Sequence, residues 1–392
     1  MIEINKIHNI DCLEGLKLLD NNFIDSIVTD PPYELSFMGK KWDSTGIAYN
    51  IDVWRECLRV LKPGGYILVA GIGRTHHRVM VSLEDAGFEI RDCIYHLFGS
   101  GFPKSMDISK AIDKKFGAER PISKTQRPIG GKNGVYEGQG GNWVETDKIP
   151  QTELAKQWEG WGTALKPSAE IWILCRKPLS EKTVAENVLK WGTGGINIDG
   201  CRIETDELKN KVWNNGSQRV KTGGSQIGSK GFHYSNGIVV GNNIGRFPAN
   251  VILDEEAGRL LDKQSGISKS TGGRTIKRSG GGNVGSGKKS EKEWSNKNPG
   301  FGDVGGASRF FYCAKASRSE RGEGNNHPTV KPLKLIKYLI TLITPPSGIC
   351  LDPFEGSGTH AVACKELKYN YIGFEINKEY CEIAENRIKE LK

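Results

Sequence analysis

Short apolar runs and helically spaced apolar residues alternate at both ends of the chain. The run at residues 24–28 is β-branched and typical of a buried strand, and further strands are predicted at residues 66–70, 89–98, 170–175, 349–351 and 371–376. Apolar residues three or four positions apart indicate helices with one buried face at residues 52–61, 78–86, 180–189, 334–342 and 360–367, and again after residue 376. This alternation predicts an α/β fold built on a parallel sheet.

The middle of the chain has a different pattern. Periodicity fades between residues 99 and 162, where Gly, Lys, Gln and Trp are frequent, so a long loop region or a mobile element is expected. Residues 191–324 are rich in Gly, Ser, Asn, Lys and Arg and hold only islands of apolar sequence. We therefore expect residues 1–190 and 325–392 to form one α/β domain, with residues 191–324 as an insertion.

Charge and cysteine usage narrow the class of protein. The formal net charge of +9 over 392 residues indicates an anionic partner. None of the nine Cys residues forms a Cys-x-x-Cys pair, so they are predicted to be reduced thiols without a zinc site. The sequence shows no apolar N-terminal run typical of a signal peptide and no stretch long enough to span a membrane. We expect a cytoplasmic protein.

A carboxylate and an aromatic ring follow the first predicted strand. The run at residues 24–28 leads directly into Asp30, Pro31, Pro32 and Tyr33 after a single threonine. The prolines stop the strand and hold an extended turn. The motif therefore stands at the carboxyl end of a buried strand, which is where open α/β sheets bind ligands.

A glycine-rich turn follows a second strand near the C-terminus. The segment Asp352–Thr359, with the sequence DPFEGSGT, connects the strand at 349–351 to a helix, and Glu375 stands at the end of the next strand. An acidic residue about twenty residues after such a turn is typical of ribose recognition. The turn lacks the lysine of a Walker P-loop and the Gly-x-Gly-x-x-Gly pattern. An adenosine ligand without a pyrophosphate fits better, and S-adenosylmethionine is such a ligand.

These motifs together resemble a known family, the amino-group DNA methyltransferases of the N4-cytosine/N6-adenine type. The resemblance rests on Asp30–Tyr33, on His327–Pro332 (HPTVKP) and on Asp352–Thr359; residues 158–178 and 308–315 also resemble phage-type members. The motif order resembles the β permutation, with the target-recognition region between the two halves. The family implies a doubly wound, Rossmann-like S-adenosylmethionine-dependent methyltransferase sheet with a loop-rich target-recognition insertion.

The resemblance also assigns the three segments. Residues 1–190 would be the catalytic part of the methyltransferase domain, residues 191–324 the target-recognition insertion, and residues 325–392 the cofactor-binding part of the same domain. The strands ending at Asp30 and Asp352 would be neighbours in the sheet.

Carried over by position, the family implies a set of cofactor-binding residues. Phe354, Gly356 and Gly358 would cradle S-adenosylmethionine, and Glu375 would bind its ribose. Asp11 would accept a hydrogen bond from the adenine amino group. Thr329 and Lys331 would hold the carboxylate of the cofactor. The remaining members of the predicted set are Asp30, Asp352, Ser357 and Thr359.

The predicted catalytic residues are Asp30, Pro31, Pro32 and Tyr33. An exocyclic amine on a base is a poor nucleophile, because its lone pair is delocalised into the ring. The Asp30 carboxylate and the Pro31 carbonyl would accept its hydrogens, so that nitrogen attacks the sulfonium methyl in line. The base must leave the duplex to reach such a pocket, where Tyr33 would stack on it. The chain contains no Pro-Cys, the dipeptide expected for C5-cytosine methylation.

Several alternatives stay open at this point. The motif Asp-Pro-Pro-Tyr is more frequent in the family's adenine enzymes, so adenine N6 is favoured over cytosine N4. RNA or a protein glutamine would be other acceptors for amino-group methylation. A protein without catalytic activity, which binds DNA and has a degenerate cofactor site, is the alternative from another functional class. Double-stranded DNA is the predicted partner and a membrane is not. A homodimer and a cognate restriction enzyme in a bacterial or phage-infected cell are compatible with the resemblance.

Overall fold

The computed structural model describes residues 2–35, 45–99, 101, 105–120, 122–124, 146–204, 212–220, 233–240, 245–269, 303–314 and 331–391. Its strands are β1 Lys6–Asn9, β2 Ile24–Thr29, β3 Leu61–Ile72, β4 Glu89–Leu97, β5 Ile122–Lys124, β6 Thr146–Lys148, β7 Ala169–Arg176, β8 Val212–Val220, β9 His233–Val240, β10 Val251–Asp254, β11 Ser268–Lys269, β12 Val304–Gly305, β13 Tyr312–Ala314, β14 Ile349–Asp352 and β15 Asn370–Glu375. Its α-helices are α1 Cys12–Lys17, α2 Ile51–Val60, α3 His76–Asp85, α4 Ile108–Lys115, α5 Glu153–Gln157, α6 Val184–Trp191, α7 Glu255–Ser265, α8 Leu333–Ile343, α9 Thr359–Leu367 and α10 Lys378–Glu390.

The larger of two compact units comprises residues 1–99 and 169–392 and contains a nine-stranded sheet. The strand order is β1-β15-β14-β2-β3-β7-β4-β10-β13. Every neighbouring pair is parallel except the two pairs that β7 makes, with β3 and with β4. Strand β7 is therefore the one strand of this sheet that runs in the opposite direction.

Helices cover both faces of the sheet, which confirms the predicted Rossmann-like α/β architecture. One buried cluster joins α8, α9 and α10 to the sheet, and the other joins α1, α2 and α3 to it. Strand β2 is buried along its whole length, because all six of its residues, including the polar Asp25, Ser26 and Thr29, are shielded from solvent. Its neighbouring residues Ile27 and Val28 belong to opposite clusters, as the alternation of side chains along a strand requires.

Residues 62–65, which follow the helix predicted at residues 52–61 and were expected to end it, lie inside a strand instead. Helix α2 ends at Val60, and β3 already begins at Leu61. Residues 62–65 form a bulge, because the pairing with β2 shifts between Ile24 and Ser26. Gly64 is in the left-handed region with φ 77°, and the buried Asn187 side chain donates to the Pro63 carbonyl at 2.8 Å. The Pro-Gly-Gly sequence therefore makes an irregularity in β3 rather than a helix end.

The smaller unit is formed by residues 100–168. Its described part holds the short strand pair β5–β6 and helices α4 and α5. The buried Asp113 carboxylate joins the two helical segments, since it accepts hydrogen bonds from Arg120 Nε at 2.7 Å and from Thr152 Oγ1 at 2.8 Å. The expectation of a loop region at 99–162 was therefore incomplete, because short helices there are fixed by polar contacts that leave little hydrophobic pattern.

Part of the predicted insertion at 191–324 belongs to the main sheet. Strands β10 and β13 extend it beyond β4. Strands β8 and β9 form a separate antiparallel hairpin. Ile203 and Arg246, which precede and follow these two strands in the sequence, exchange backbone hydrogen bonds of 3.0 and 2.9 Å. Within the described ranges, no helix is long and apolar enough to cross a membrane.

Candidate active site

Acidic residues follow the carboxyl ends of four neighbouring strands. They are Asp11 after β1, Glu375 at the end of β15, Asp352 at the end of β14 and Asp30 after β2. The four strands are adjacent and parallel. Their carboxyl ends therefore meet at one edge of the sheet, the edge at which open α/β sheets bind ligands. The predicted adjacency of the strands that end at Asp352 and Asp30 is confirmed.

The turn between β14 and α9 contains two glycines in the left-handed region. Gly356 has φ 58° and Gly358 has φ 86°, a conformation that disfavours side chains. A Cβ atom on Gly358 would also lie 2.5 Å from Cβ of Ala384 in α10. Because Gly358 is the N-cap of α9, this tight turn brings the first N–H groups of the helix to the carboxyl edge of the sheet.

Glu375 is fastened to that turn. Its Oε2 accepts a hydrogen bond of 2.8 Å from the Gly356 amide, and its Oε1 accepts one of 2.7 Å from the Asn377 amide. Burial raises the pKa of Glu375. Each carboxylate oxygen has a second lone pair, so Glu375 retains the capacity to accept hydroxyl groups of a ligand while its position is fixed by the backbone.

Asp352 is buried and connects β14 to β2. Its Oδ1 accepts hydrogen bonds from Thr29 Oγ1 at 2.6 Å and from the Phe354 amide at 2.9 Å. Burial, together with the nearby charge of Glu355, raises the pKa of Asp352 to about 8. The side chain therefore holds the start of the glycine turn against the end of the neighbouring strand.

A buried pair formed by Glu355 and His360 also supports the glycine turn. Glu355 accepts hydrogen bonds of 2.9 Å both from the Ala361 amide and, in the matching tautomer, from His360 Nδ1. Burial alone would lower the pKa of His360, but the Glu355 carboxylate raises it well above its usual range. Both residues belong to the segment between β14 and the first turn of α9, so the pair fixes the path of the glycine turn.

The remaining predicted cofactor residues in the described ranges have structural contacts of their own. Asp11 caps α1, because its Oδ1 accepts from the Leu13 amide at 2.9 Å. The ring of Phe354 lies 6.3 Å from that of Trp54, with the planes tilted by 54°. The Ser357 carbonyl and Thr359 Oγ1 accept hydrogen bonds from Arg387 at 2.5 and 3.2 Å. Thr329 lies outside the described residues. The ligand contacts predicted for all of these residues stay predictions.

One carboxylate oxygen of Asp30 is shielded from solvent and has no hydrogen-bond partner in the part of the chain that the structure describes. Lys331 Nζ lies 3.0 Å from Asp30 Oδ2. Asp30 Oδ1 is inaccessible to solvent and has no hydrogen-bond partner among the described residues. Burial raises the pKa of Asp30 although the ammonium of Lys331 opposes the shift. A shielded carboxylate oxygen without a donor is unusual and calls for an explanation.

Three further groups form a compact polar cluster with Asp30. Tyr33 Oη donates to Glu170 Oε1 at 2.5 Å, and Lys331 Nζ lies 2.6 Å from both of these oxygens. The ammonium is also 4.9 Å from the centroid of the Tyr33 ring. Burial would raise the pKa of Glu170, but Lys331 lowers it below the usual range. The predicted Asp30, Tyr33 and Lys331 are thus brought together by a carboxylate that was not predicted.

Glu170 was not among the residues predicted for the site, since in the sequence it is simply the polar first residue of the predicted strand at residues 170–175. Strand β7 runs against its neighbours, so its first residues lie at the edge where the parallel strands end. His96 pairs with Glu170 across β4 and β7 and places Nδ1 3.8 Å from its carboxylate. An acidic residue opening an otherwise apolar run was the available signal, but the run does not reveal the direction of the strand.

The fold also brings together donors that a metal ion would accept. The ligand atoms of Cys350, His360 and Cys364 lie within 4.8 Å of one another, and all three residues are buried. Thiol and imidazole groups in such a set suit zinc. The prediction of no zinc site was based on sequence spacing alone and stays a prediction.

Comparison with known proteins identifies the class that this sheet and its strand-end site define. The family model for N6/N4 methyltransferases, described as DNA methylase, matches residues 24–108 and 262–386, which together exceed half of the chain. The chain belongs to this DNA methylase family.

Short stretches are also similar to curated Type II methyltransferases. The identity is 50% over 62 residues with M.HindIII of Haemophilus influenzae, covering 16% of this chain and 20% of the relative. It is 41% over 81 residues with M.HpaI of Haemophilus parainfluenzae, covering 21% and 24%. It is 35% over 98 residues with M.Cfr9I of Citrobacter freundii, covering 21% and 33%. The chain therefore spans at most about a third of the length of these relatives.

Solved structures show a weaker likeness over most of the chain. The M1.HpyAVI–SAM complex aligns with a TM-score of 0.39 and 17% identity, covering 97% of this chain and 98% of that one. The cytosine-N4-specific PvuII DNA methyltransferase aligns with a TM-score of 0.44 and 13% identity, covering 97% and 85%. These values do not identify what this chain acts on.

Proposed function

We propose that this protein is a site-specific DNA methyltransferase that transfers a methyl group from S-adenosylmethionine to adenine N6 of a flipped base. Family membership supports amino-group methylation in general. The observation that carries the mechanism is the shielded Oδ1 of Asp30, which has no donor among the described residues. An exocyclic amine is a donor that would satisfy it.

The glycine turn and the residues around it fit S-adenosylmethionine, the methyl donor. The left-handed Gly356 and Gly358 keep side chains out of the turn, and Glu375 is fixed beside it with lone pairs for ribose hydroxyls. Phe354, supported by Trp54, offers an apolar surface to the adenosine. Bound there, S-adenosylmethionine would supply an electrophilic methyl group on a sulfonium. The protein would contribute binding, orientation and exclusion of water.

Asp30 and Pro31, which follow β2, would prepare the amine of the target base to accept the methyl group. Asp30 Oδ1 accepts one hydrogen of the amine, and the Pro31 carbonyl accepts the other, so the lone pair becomes localised on nitrogen. The parallel pairing of β2 with β14 supports an acceptor site next to the donor site. Holding both reactants in line accounts for most of the expected catalysis, and no covalent enzyme intermediate is needed.

Tyr33 would hold the flipped base by stacking. Its hydroxyl is fixed by Glu170 and Lys331, which restricts the ring before the base arrives. Stacking of a base on an aromatic ring contributes roughly 1–3 kcal/mol. We assign target recognition to residues 191–324, where Lys and Arg would contact phosphates of double-stranded DNA.

The test is mass spectrometry of nucleosides from DNA of varied sequence incubated with the protein and S-adenosylmethionine. The expected product is N6-methyladenine. N4-methylcytosine would keep the mechanism and overturn the choice of base. Absence of both from every DNA would contradict the proposal.

Variants test the role of Asp30 in the same assay. Asp30→Ala is expected to lose transfer by roughly 100-fold or more. Asp52→Ala is the matched control, because this exposed aspartate on α2 pairs only locally with Arg55 at 3.1 Å and its loss should leave the rate unchanged. Full activity of Asp30→Ala would refute the mechanism.

A further inference from the structure

Lys331 Nζ lies close to three oxygens of the polar cluster. An ammonium group has three N–H donors. Three oxygens lie within reach of Nζ: Asp30 Oδ2 at 3.0 Å, Glu170 Oε1 at 2.6 Å and the Tyr33 hydroxyl at 2.6 Å. The two carboxylates share a single cation, and the side chain of Glu170 is only 13% exposed.

Glu170 is the partner that competes with Asp30 for this cation. The Glu170 carboxylate is closer to Lys331 than that of Asp30 is, and it accepts a hydrogen bond from Tyr33 as well. If Glu170 were neutral, the ammonium would have Asp30 as its one charged partner in the cluster. Coulomb attraction in this shielded environment would then draw it further onto Asp30, where it would compete with the target amine.

We propose that Glu170 is a positioning residue for methyl transfer: it holds Lys331 and Tyr33 so that Asp30 keeps Oδ1 free for the amine of the target base. This inference rests on the proposed function. Two carboxylates and one ammonium leave the cluster with a net negative charge. That charge complements a cationic methyl donor and the partial positive charge that develops on the amine.

The polar and charged groups that face Asp30 determine how its pKa changes when one of them is substituted. They are Lys331 before α8, Glu170 on β7 and Tyr33 after β2, and His96 on β4 reaches the cluster through Glu170. The negative charge of Glu170 raises the pKa of Asp30. Removing this charge lowers that pKa, so the acid limb of the rate profile, where Asp30 becomes protonated, should move to lower pH.

The experiment compares the wild type with Glu170→Gln and Glu170→Asp on the DNA that the wild type methylates. For Glu170→Gln we expect kcat to fall roughly 100-fold, the acid limb of kcat against pH to move to lower pH, and the Kd of S-adenosylmethionine to stay within about threefold. Glu170→Asp keeps the charge, so its acid limb should stay at the wild-type pH and part of kcat should return. This variant serves as the test if Glu170→Gln does not fold.

Glu89→Gln is the matched control. Glu89 is also a carboxylate paired with a cation across β4 and β7, since Arg176 Nη2 lies 2.6 Å away, but it pairs at the far end of β7 from Glu170. This variant should keep kcat and the acid limb. A merely structural role for Glu170 predicts lower stability with an unmoved limb, and that result would overturn the inference.

The outcomes separate the two proposals. Wild-type kcat and an unmoved acid limb in Glu170→Gln, measured beside an active wild type, would refute the role of Glu170 alone. A tenfold weaker affinity for S-adenosylmethionine with unchanged kcat would also refute it, because Glu170 would then serve the donor. A wild type that methylates no DNA would refute the proposed function and this inference together.

Discussion

Thr29 donates a hydrogen bond of 2.6 Å to Asp352 across two neighbouring strands, although 323 positions separate them in the chain. Each residue is the last of its strand, β2 or β14. The contact joins the two halves of the candidate site, because Asp30 follows Thr29 and the glycine turn follows Asp352. This short buried hydrogen bond therefore joins the end of β2 to the end of β14 between the two halves of the candidate site.

Asp352 should make stability depend on pH. The pKa of Asp352 in the folded protein is about 8, whereas an unfolded aspartate titrates near pH 3.9. Between these values the folded state binds the proton and the unfolded state does not, so this group's contribution to the free energy of unfolding falls as pH rises from about 4 to 8. Asp352→Asn mimics the protonated form, and we expect it to remove this loss.

Urea unfolding at pH 5 and pH 8 measures the effect. The free energy of unfolding of Asp352→Asn minus that of wild type should be larger at pH 8 than at pH 5, by at most about 1.4 kcal/mol for each pH unit crossed. Asp25→Asn is a useful comparison, because Asp25 is buried at the other end of β2 but pairs with Lys62 at 2.6 Å. A difference between Asp352→Asn and wild type that is the same at both pH values would contradict the assignment.

His360 should contribute to the free energy of unfolding, because it supports the glycine turn. His360→Ala leaves the buried Glu355 carboxylate without its closest charged partner, and removing one member of a buried pair typically costs about 3–5 kcal/mol. Denaturant unfolding measures this loss. Lys17→Ala breaks the exposed pair of Lys17 with Glu14 on α1 and should change little. An unaltered unfolding midpoint in His360→Ala would argue against a supporting role.

Glu375 should contribute to the affinity of the protein for S-adenosylmethionine. Glu375→Ala removes the acceptor predicted for the ribose and frees the Gly356 amide from its 2.8 Å hydrogen bond. We expect the affinity for S-adenosylmethionine to weaken roughly tenfold, or about 1.4 kcal/mol, by isothermal titration calorimetry. Glu382→Ala on the exposed side of α10 is the control, since its nearest cation, Lys378, is 3.9 Å away. Equal affinities for the two variants would exclude Glu375 from the donor site.

The β8–β9 hairpin offers a way to test target recognition. Residues 205–244 lie in the sequence between Ile203 and Arg246, which are joined by backbone hydrogen bonds. A short glycine linker replacing 205–244 should therefore preserve the fold and binding of S-adenosylmethionine. We expect site-specific DNA methylation to be lost. Methylation of the same sites at the wild-type rate would show that the hairpin does not read the target.

Much of the fold follows from local patterns. The apolar run of β2 predicts a fully buried strand, and the prolines after Asp30 end it. The helices at the C-terminus are found within a residue or so of their predicted bounds, because each buries one face with helical spacing. Where polar contacts hold the structure, as around Asp113 in the smaller unit, the pattern is weak and the helices were not predicted.

The sequence by itself determined the alternating α/β elements, the carboxylate after β2 and the glycine turn after β14, because hydrophobic spacing and turn residues act locally. The family resemblance implied that β2 and β14 are neighbours, but only the tertiary structure decided the rest of the strand order and the reversed direction of β7. Burial patterns are the same for either direction of a strand, and pairing partners are chosen across hundreds of residues. For this reason Asp30 and Lys331 were predicted from their motifs, whereas Glu170, delivered by the reversed strand β7, was not.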